Sequence, residues 1–147
     1  MSKIDDDLLR KYRREVGGDI YKQVTVGEHS RESKHRYLDG VRVIPPEASS
    51  GRLTNFRDNQ EKFKGLIKGK TVEAIEADWD LNRWVIGQAI VGKVMLEIEY
   101  GVHAAAPVVL CEEGDKSLEQ ACVRLGVKVW TPRHKFLGPV ASSSQPG

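Results

Sequence analysis

Apolar residues recur along this chain in two rhythms, and the points where the rhythm changes mark its elements. Leu8, Leu9 and Tyr12 lie on one helical face behind the acids Asp5 to Asp7, which suit a helix amino terminus. Gly17-Gly18 ends the segment, so a helix is predicted over about residues 4 to 16. From Asp19 to Gly27 the period drops to two: Ile20, Lys22, Val24 and Val26 alternate with Tyr21, Gln23 and Thr25, which predicts a strand. After a polar loop, His35 to Ile44 forms a second strand, stopped by Pro45-Pro46. Residues 45 to 58 are loop-like around Ser49, Ser50 and Gly51. Residues 58 to 67 suit a short helix carrying Phe63 and Leu66. Gly69-Lys70 then turns into a third strand, Thr71 to Asp78.

The second half changes character. Trp84 to Tyr100 is a long helical stretch whose apolar residues (Trp84, Val85, Ile86, Ala89, Ile90, Val91, Val94, Met95, Ile98) spread over most of its circumference, which predicts burial against a sheet. Pro107 to Cys111 is a continuous apolar run of the kind a central parallel strand carries. Asp115 to Leu125 is amphipathic, Gly126 closes it, and Lys128 to Trp130 gives a last strand. The order α-β-β-β-α-β-α-β implies an α/β fold: a meander, then a crossover helix and a parallel strand, hence a mixed central sheet flanked by helices. Residues 1–131 are expected to form the domain and 132–147 a flexible tail low in apolar content.

Composition narrows the classes. With 147 residues, 39% hydrophobic and 30% charged, the chain has the size and balance of one globular domain. A net charge of +2 does not announce a nucleic-acid binder. However, Arg10, Lys11, Arg13 and Arg14, then Arg31, Lys34 and Arg36, then Lys62, Lys64, Lys68 and Lys70 form local basic clusters suited to phosphate or to solvated faces. Cys111 and Cys122 lack metal-ligand spacing and read as small buried side chains of a reducing compartment. His29, His35, His103 and His134 fit no zinc pattern. The start of the chain resembles neither a signal nor a transit peptide, and no apolar run approaches the roughly 20 residues of a membrane helix. A cytoplasmic protein without membrane contact is therefore expected.

The chemistry concentrates on two strands. Asp39 lies on the second; Glu76 and Asp78 lie at the end of the third, two residues apart and so on one face. Antiparallel pairing of these strands would set Asp39 opposite them. Oxygen ligands in ones and twos are what Mg²⁺ takes from protein, and such an ion polarises a phosphodiester and lowers the pKa of its water. Alternatively, charges at strand ends are simply solvated.

The segments Arg36-Tyr-Leu-Asp39-Gly-Val-Arg-Val, Val72-Glu-Ala-Ile-Glu76-Ala-Asp78 and Leu81-Asn-Arg-Trp-Val-Ile-Gly87-Gln88 together resemble the PD-(D/E)XK nuclease-like superfamily, with its restriction-endonuclease-like fold, over about residues 4 to 131. The resemblance implies that Asp39 and Glu76 hold Mg²⁺ or Mn²⁺ and that Gln88, opening the helix, is directed at the active site. It also implies an acidic residue from the first helix, for which Glu15 is the leading candidate, then Asp7; Gln23 is a lower-ranked polar candidate. Arg36, Arg83 and Lys93 are the candidate nucleic-acid contacts. The sequence departs from the family at Asp78, where a Lys would orient the attacking water. Asp78 is then a further metal ligand or base, or Arg83 or Lys93 supplies the missing cation, or the site binds without cleaving. Lys93 and Arg83 each stand five residues from Gln88, about 140° around the helix. Trp79, Trp84 and Trp130 read as core or edge residues, with Trp79 placed to stack on a base. The resemblance thus implies a metal-dependent nuclease, with DNA favoured over RNA and a homodimer a reasonable assembly. Its rival is a catalytically inactive nucleic-acid-binding module.

Overall fold

The structure is a computed structural model that describes residues 2–27, 36–44 and 51–137. Helix α1 (Lys3–Val16) starts at Ser2, whose hydroxyl accepts the Asp5 amide N–H at 3.0 Å, and it buries Leu8, Leu9 and Tyr12. Strand β1 (Asp19–Val26) and strand β2 (Arg36–Ile44) pair antiparallel, and β3 (Leu53–Asn55) adds to β1 in parallel. A 3-10 turn (Phe56–Asp58) and helix α2 (Gln60–Leu66) lead to β4 (Thr71–Ala77), which pairs antiparallel with β2. Helix α3 (Arg83–Tyr100) then crosses the sheet. The parallel strands β5 (His103–Ala104) and β6 (Val108–Leu110) follow along one side of β4. Helix α4 (Lys116–Leu125), β7 (Lys128–Thr131) and β8 (Lys135–Leu137) complete the described chain.

The described residues therefore form one mixed eight-stranded sheet, ordered β3-β1-β2-β4-β6-β7-β8 with β5 beside β4, and four α-helices. On one side α1 packs Leu8, Leu9 and Tyr12 on Ile20, Ile75, Val108, Leu110 and Trp130. On the other, α3 sets Leu96 among Val41, Val43 and Val72 and sets Val85 and Ala89 among Val109, Cys111 and Val129. Two glycines allow these approaches. A side chain at Gly40 would strike Leu9 and Ile20 beneath α1, and one at Gly92 would strike Leu38 beneath α3.

The predicted elements stand where the sequence placed them, to within a few residues, and the predicted antiparallel and parallel pairings are observed. Three short strands, β3, β5 and β8, were not expected. The last of these lies within the residues expected to begin the tail. After a turn at 132–134, residues 135–137 pair with β7, where Phe136 packs edge-on against Tyr12 at 6.2 Å and Lys135 lies over Trp130 at 5.4 Å. Helix α3 also differs: it buries Val85, Ile86, Ala89, Gly92 and Leu96 but leaves Trp84, Val91, Val94 and Ile98 exposed. Of the three tryptophans only Trp130 is core; Trp79 and Trp84 are exposed.

Glu73, fully buried, is the least accessible charged side chain of the described residues. It accepts Tyr12 Oη–H at 2.7 Å, Arg42 Nε–H at 3.0 Å and Lys128 Nζ–H at 2.7 Å, so one buried carboxylate joins α1, β2 and β7 to β4. Burial alone would raise its pKa, but Lys128 and Arg42 together outweigh burial and hold it below the ordinary 4.5. A lowered acid stabilises the fold above its unfolded pKa and loses that contribution as pH falls. Replacing Glu73 by Gln keeps the shape but strands the nearly buried Arg42 charge, which should cost about 3 kcal/mol in urea unfolding. A loss under about 1 kcal/mol would show the network to be a surface pair in disguise.

Candidate functional site

Asp39 and Glu76 meet where the sheet forks. The β2–β4 ladder runs from Ile44↔Thr71 to Gly40↔Ile75, and beyond it side chains replace backbone acceptors. The Asp39 N–H donates to Glu76 Oε2 at 3.1 Å, and the Ala77 N–H donates to Asp39 Oδ2 at 2.8 Å. Each strand's orphaned donor is thus met by the other strand's carboxylate. β1 is disturbed at the same level. The ladder passes from Lys22↔Gly40 to Val24↔Leu38 in unchanged register, without a Gln23–Asp39 pair between them, and Gln23 has a φ of 55°. A non-glycine residue in this left-handed region is strained by roughly 1–2 kcal/mol. The distortion brings Leu38 to the same side as Val41, so the strand's alternation breaks at Asp39.

Burial dominates the electrostatics. Glu76 is 4% exposed, and burial first, then the neighbouring Asp39 charge, pushes its pKa up to about 9. Asp39 is raised as well, chiefly by burial, with Asp78 adding to it. Two carboxyls so placed do not both ionise freely: they share a proton or take a cation between them.

The first helix contributes an acid, but a different one from that expected. Asp5, in the first turn of α1, is raised by burial and then by Asp39 and Asp78, so it belongs to the same electrostatic group. Glu15 sits at the opposite end of α1 and pairs with Lys135 at 3.6 Å; Asp7 pairs with Lys11 at 3.0 Å. Helix polarity decides this, because the amino-terminal end of α1 is the one that reaches β2. The signal was Ser2-x-x-Asp5, an acid at the third position after a serine cap.

Asp78 is nearby yet engaged. It accepts the Trp79 N–H at 2.7 Å and Asn82 Nδ2–H at 3.1 Å, while Asn82 caps α3 by accepting the Val85 N–H at 2.8 Å. Asp78 therefore builds the turn into α3. Glu76, Gln88, Arg36, Arg83 and Trp84 line one open cleft of about 670 Å³. Lys93 does not join them: it pairs with Glu97 at 3.7 Å and lines a separate hollow with Val94 and Leu125. Gln23 lines another small cavity with Ser2, Asp6 and Asn55. His35 lies outside the described residues. A larger, lysine-lined groove of about 840 Å³ lies at the other end of β4 and includes neither carboxylate.

Among the described residues no three His, Cys, Asp or Glu side chains form a group that could hold a metal ion. The oxygen donors on offer are the pair Asp39 and Glu76. Each gives one oxygen to a backbone N–H and keeps lone pairs to spare, which suits a hard cation that takes one or two protein carboxylates. Cys111 and Cys122 are buried thiols, pushed up to about 12 and about 11 mainly by burial. No helix among the described residues is long and apolar enough to cross a membrane. Comparison with family models, curated proteins and solved structures finds no match.

The raised acids give a pH dependence of definite sign. The folded chain retains a proton that unfolded Glu76 releases near 4.5, so the pair's stabilisation is complete below that pH and lost as pH rises toward about 9. In chelator-containing buffer the urea midpoint should fall across that range, and Glu76→Gln, neutral throughout, should flatten the fall. Parallel profiles for the two proteins would remove the acid pair as its cause.

Proposed function

We propose that the chain is a divalent-cation-dependent phosphodiesterase acting on nucleic acid, with DNA the favoured substrate. The observation that carries the reading is the interlocked pair of half-buried Asp39 and buried Glu76 at the fork of β2 and β4, beside a cleft bordered by Arg36 and Arg83. The succession α1, β1, β2, β4, α3, β6 also supports the restriction-endonuclease-like reading of the fold, and a cytoplasmic site of action belongs to the same reading.

Mg²⁺ or Mn²⁺ would supply charge stabilisation at the phosphate and an ionisable water. Asp39 and Glu76 are the residues that would hold it, and its charge would draw their protons off near neutral pH. Arg36 and Arg83 flank the cleft where a phosphate backbone would run, and Gln88 offers an amide there to a phosphate oxygen or water. Asp5 and Asp78 deepen the negative field at the pair. Because Asp78 stands where the resemblance calls for Lys, the positive charge offered to the transition state's developing negative charge has to come from elsewhere in the chain, and Arg83, in the same cleft as Glu76, takes that part.

The engagement of Asp78 in the α3 turn favours a second reading, a nucleic-acid-binding module that keeps the fold without turnover. Thermal unfolding under Mg²⁺ or Mn²⁺ titration, with nicking of supercoiled plasmid, separates the two. A cation bound only by the native state adds roughly 2.7 kcal/mol at a hundredfold excess over Kd. That gain, and nicking, should both vanish in Glu76→Gln. Salt-sensitive DNA binding with neither metal stabilisation nor nicking would decide for the second reading.

A further inference from the structure

The outward face of α3 is apolar along its whole length. Trp84 is 76% exposed, Val91 54%, Val94 47% and Ile98 77%, although the helix already buries Val85, Ala89 and Leu96 on its inner side. By helix geometry Trp84, Gly87, Val91, Val94, Ile98 and Gly101 fall on a single seam pointing away from the sheet, spaced by threes and fours as in a coiled-coil contact. A helix facing water normally carries its charges there, so such a stripe marks an interface.

We propose that this seam joins two copies of the chain through an antiparallel, two-fold α3–α3 contact. The seam is complementary to itself in that orientation alone. With Val91 opposite the second copy's Val94, Ile98 falls against the second copy's Gly87 and Trp84 against its Gly101. Either side of the central valines a bulky side chain therefore meets a glycine, and an added Cβ at Gly87 or Gly101 would meet no atom of the described residues within 4 Å. Parallel pairing would stack Trp84 on Trp84 and Gly87 on Gly87. Charge agrees: Arg83 opens the helix while Glu97 and Glu99 lie in its last turn, so reversal brings the basic end of one helix to the acidic end of the other. The seam runs about 27 Å, and Tyr37, 56% exposed and lining the same cleft as Trp84, extends it. An antiparallel pair also places the Gln88 and Met95 edges of both helices on the same side. The two clefts containing Glu76 then open onto one shared channel, whatever the chemistry of that site.

Sedimentation of the full chain should show a dimer at concentrations on the order of 100 μM or below. Val91→Glu, at an exposed position, should weaken it at least tenfold while leaving the circular dichroism spectrum of the monomer unchanged. Oxidised mixtures of Gly87→Cys and Ile98→Cys proteins should cross-link to each other in preference to themselves; Cys111 and Cys122 are buried and do not compete. A wild type monomeric at that concentration, or a dimer indifferent to Val91→Glu, would overturn the proposal. So would monomers that bind anionic phospholipid vesicles through Val91, which would make the seam a membrane-surface contact, and cross-linking of each variant only with itself would overturn the antiparallel arrangement.

Discussion

The fold depends on a strand with no wet face. From Val72 to Ala77 every residue of β4 is buried, because α1 covers one side and α3 the other while β2, β5 and β6 occupy its edges. Such a strand is expected to be wholly apolar, yet this one carries two glutamates on opposite sides. Glu73 is satisfied from within the chain, by two cations and a phenol. Glu76 has one backbone donor and a carboxylate neighbour, and no cation of the described residues is paired with it. The same residue type three positions apart is held ionised in one place and neutral in the other. The first arrangement is complete in itself; the second, among the described residues, is left open to a proton or a cation.

The geometry that isolates Glu76 arises from several modest local choices. Gly40 lets α1 settle on β2, which brings Asp5 over the fork, and Gly92 lets α3 settle on Leu38, which sets Gln88 and Arg83 beside the cleft. Gln23, strained in the adjoining strand, allows two paired strands to lose their alternation at one level without losing register. Strained residues of this kind persist where the surrounding structure over-determines them, and that is where sites tend to be built.

Much of this was legible in the sequence. The α1 face, the alternation of β1, the apolar run of β6 and the glycine stops defined the elements. The positions of Asp39 and Glu76 on two strands of a meander already implied that they meet. Other features left no local trace. β3, β5 and β8 have two or three residues each, too few to display a period. Glu73 looks like one more polar residue until Arg42 and Lys128 arrive from distant strands. The acid of the first helix depended on which end of α1 meets the sheet, and Ser2-x-x-Asp5 was a quieter signal than the cluster around it. Helix α3 misled through its composition. An apolar circumference reads as complete burial, whereas the fold covers only one side of it, and nothing in the spacing separates a seam against a sheet from a seam against another helix.

The Glu73 network has a consequence for the order of assembly. Its three bonds span 61, 31 and 55 residues of sequence, so each waits for two remote elements to meet and the whole network needs α1, β2, β4 and β7 together. Contacts this remote are absent from the early, locally organised stages of folding and contribute mainly after the rate-limiting barrier. The network therefore acts as a latch on the finished sheet. It governs how slowly the native chain opens far more than how quickly it forms.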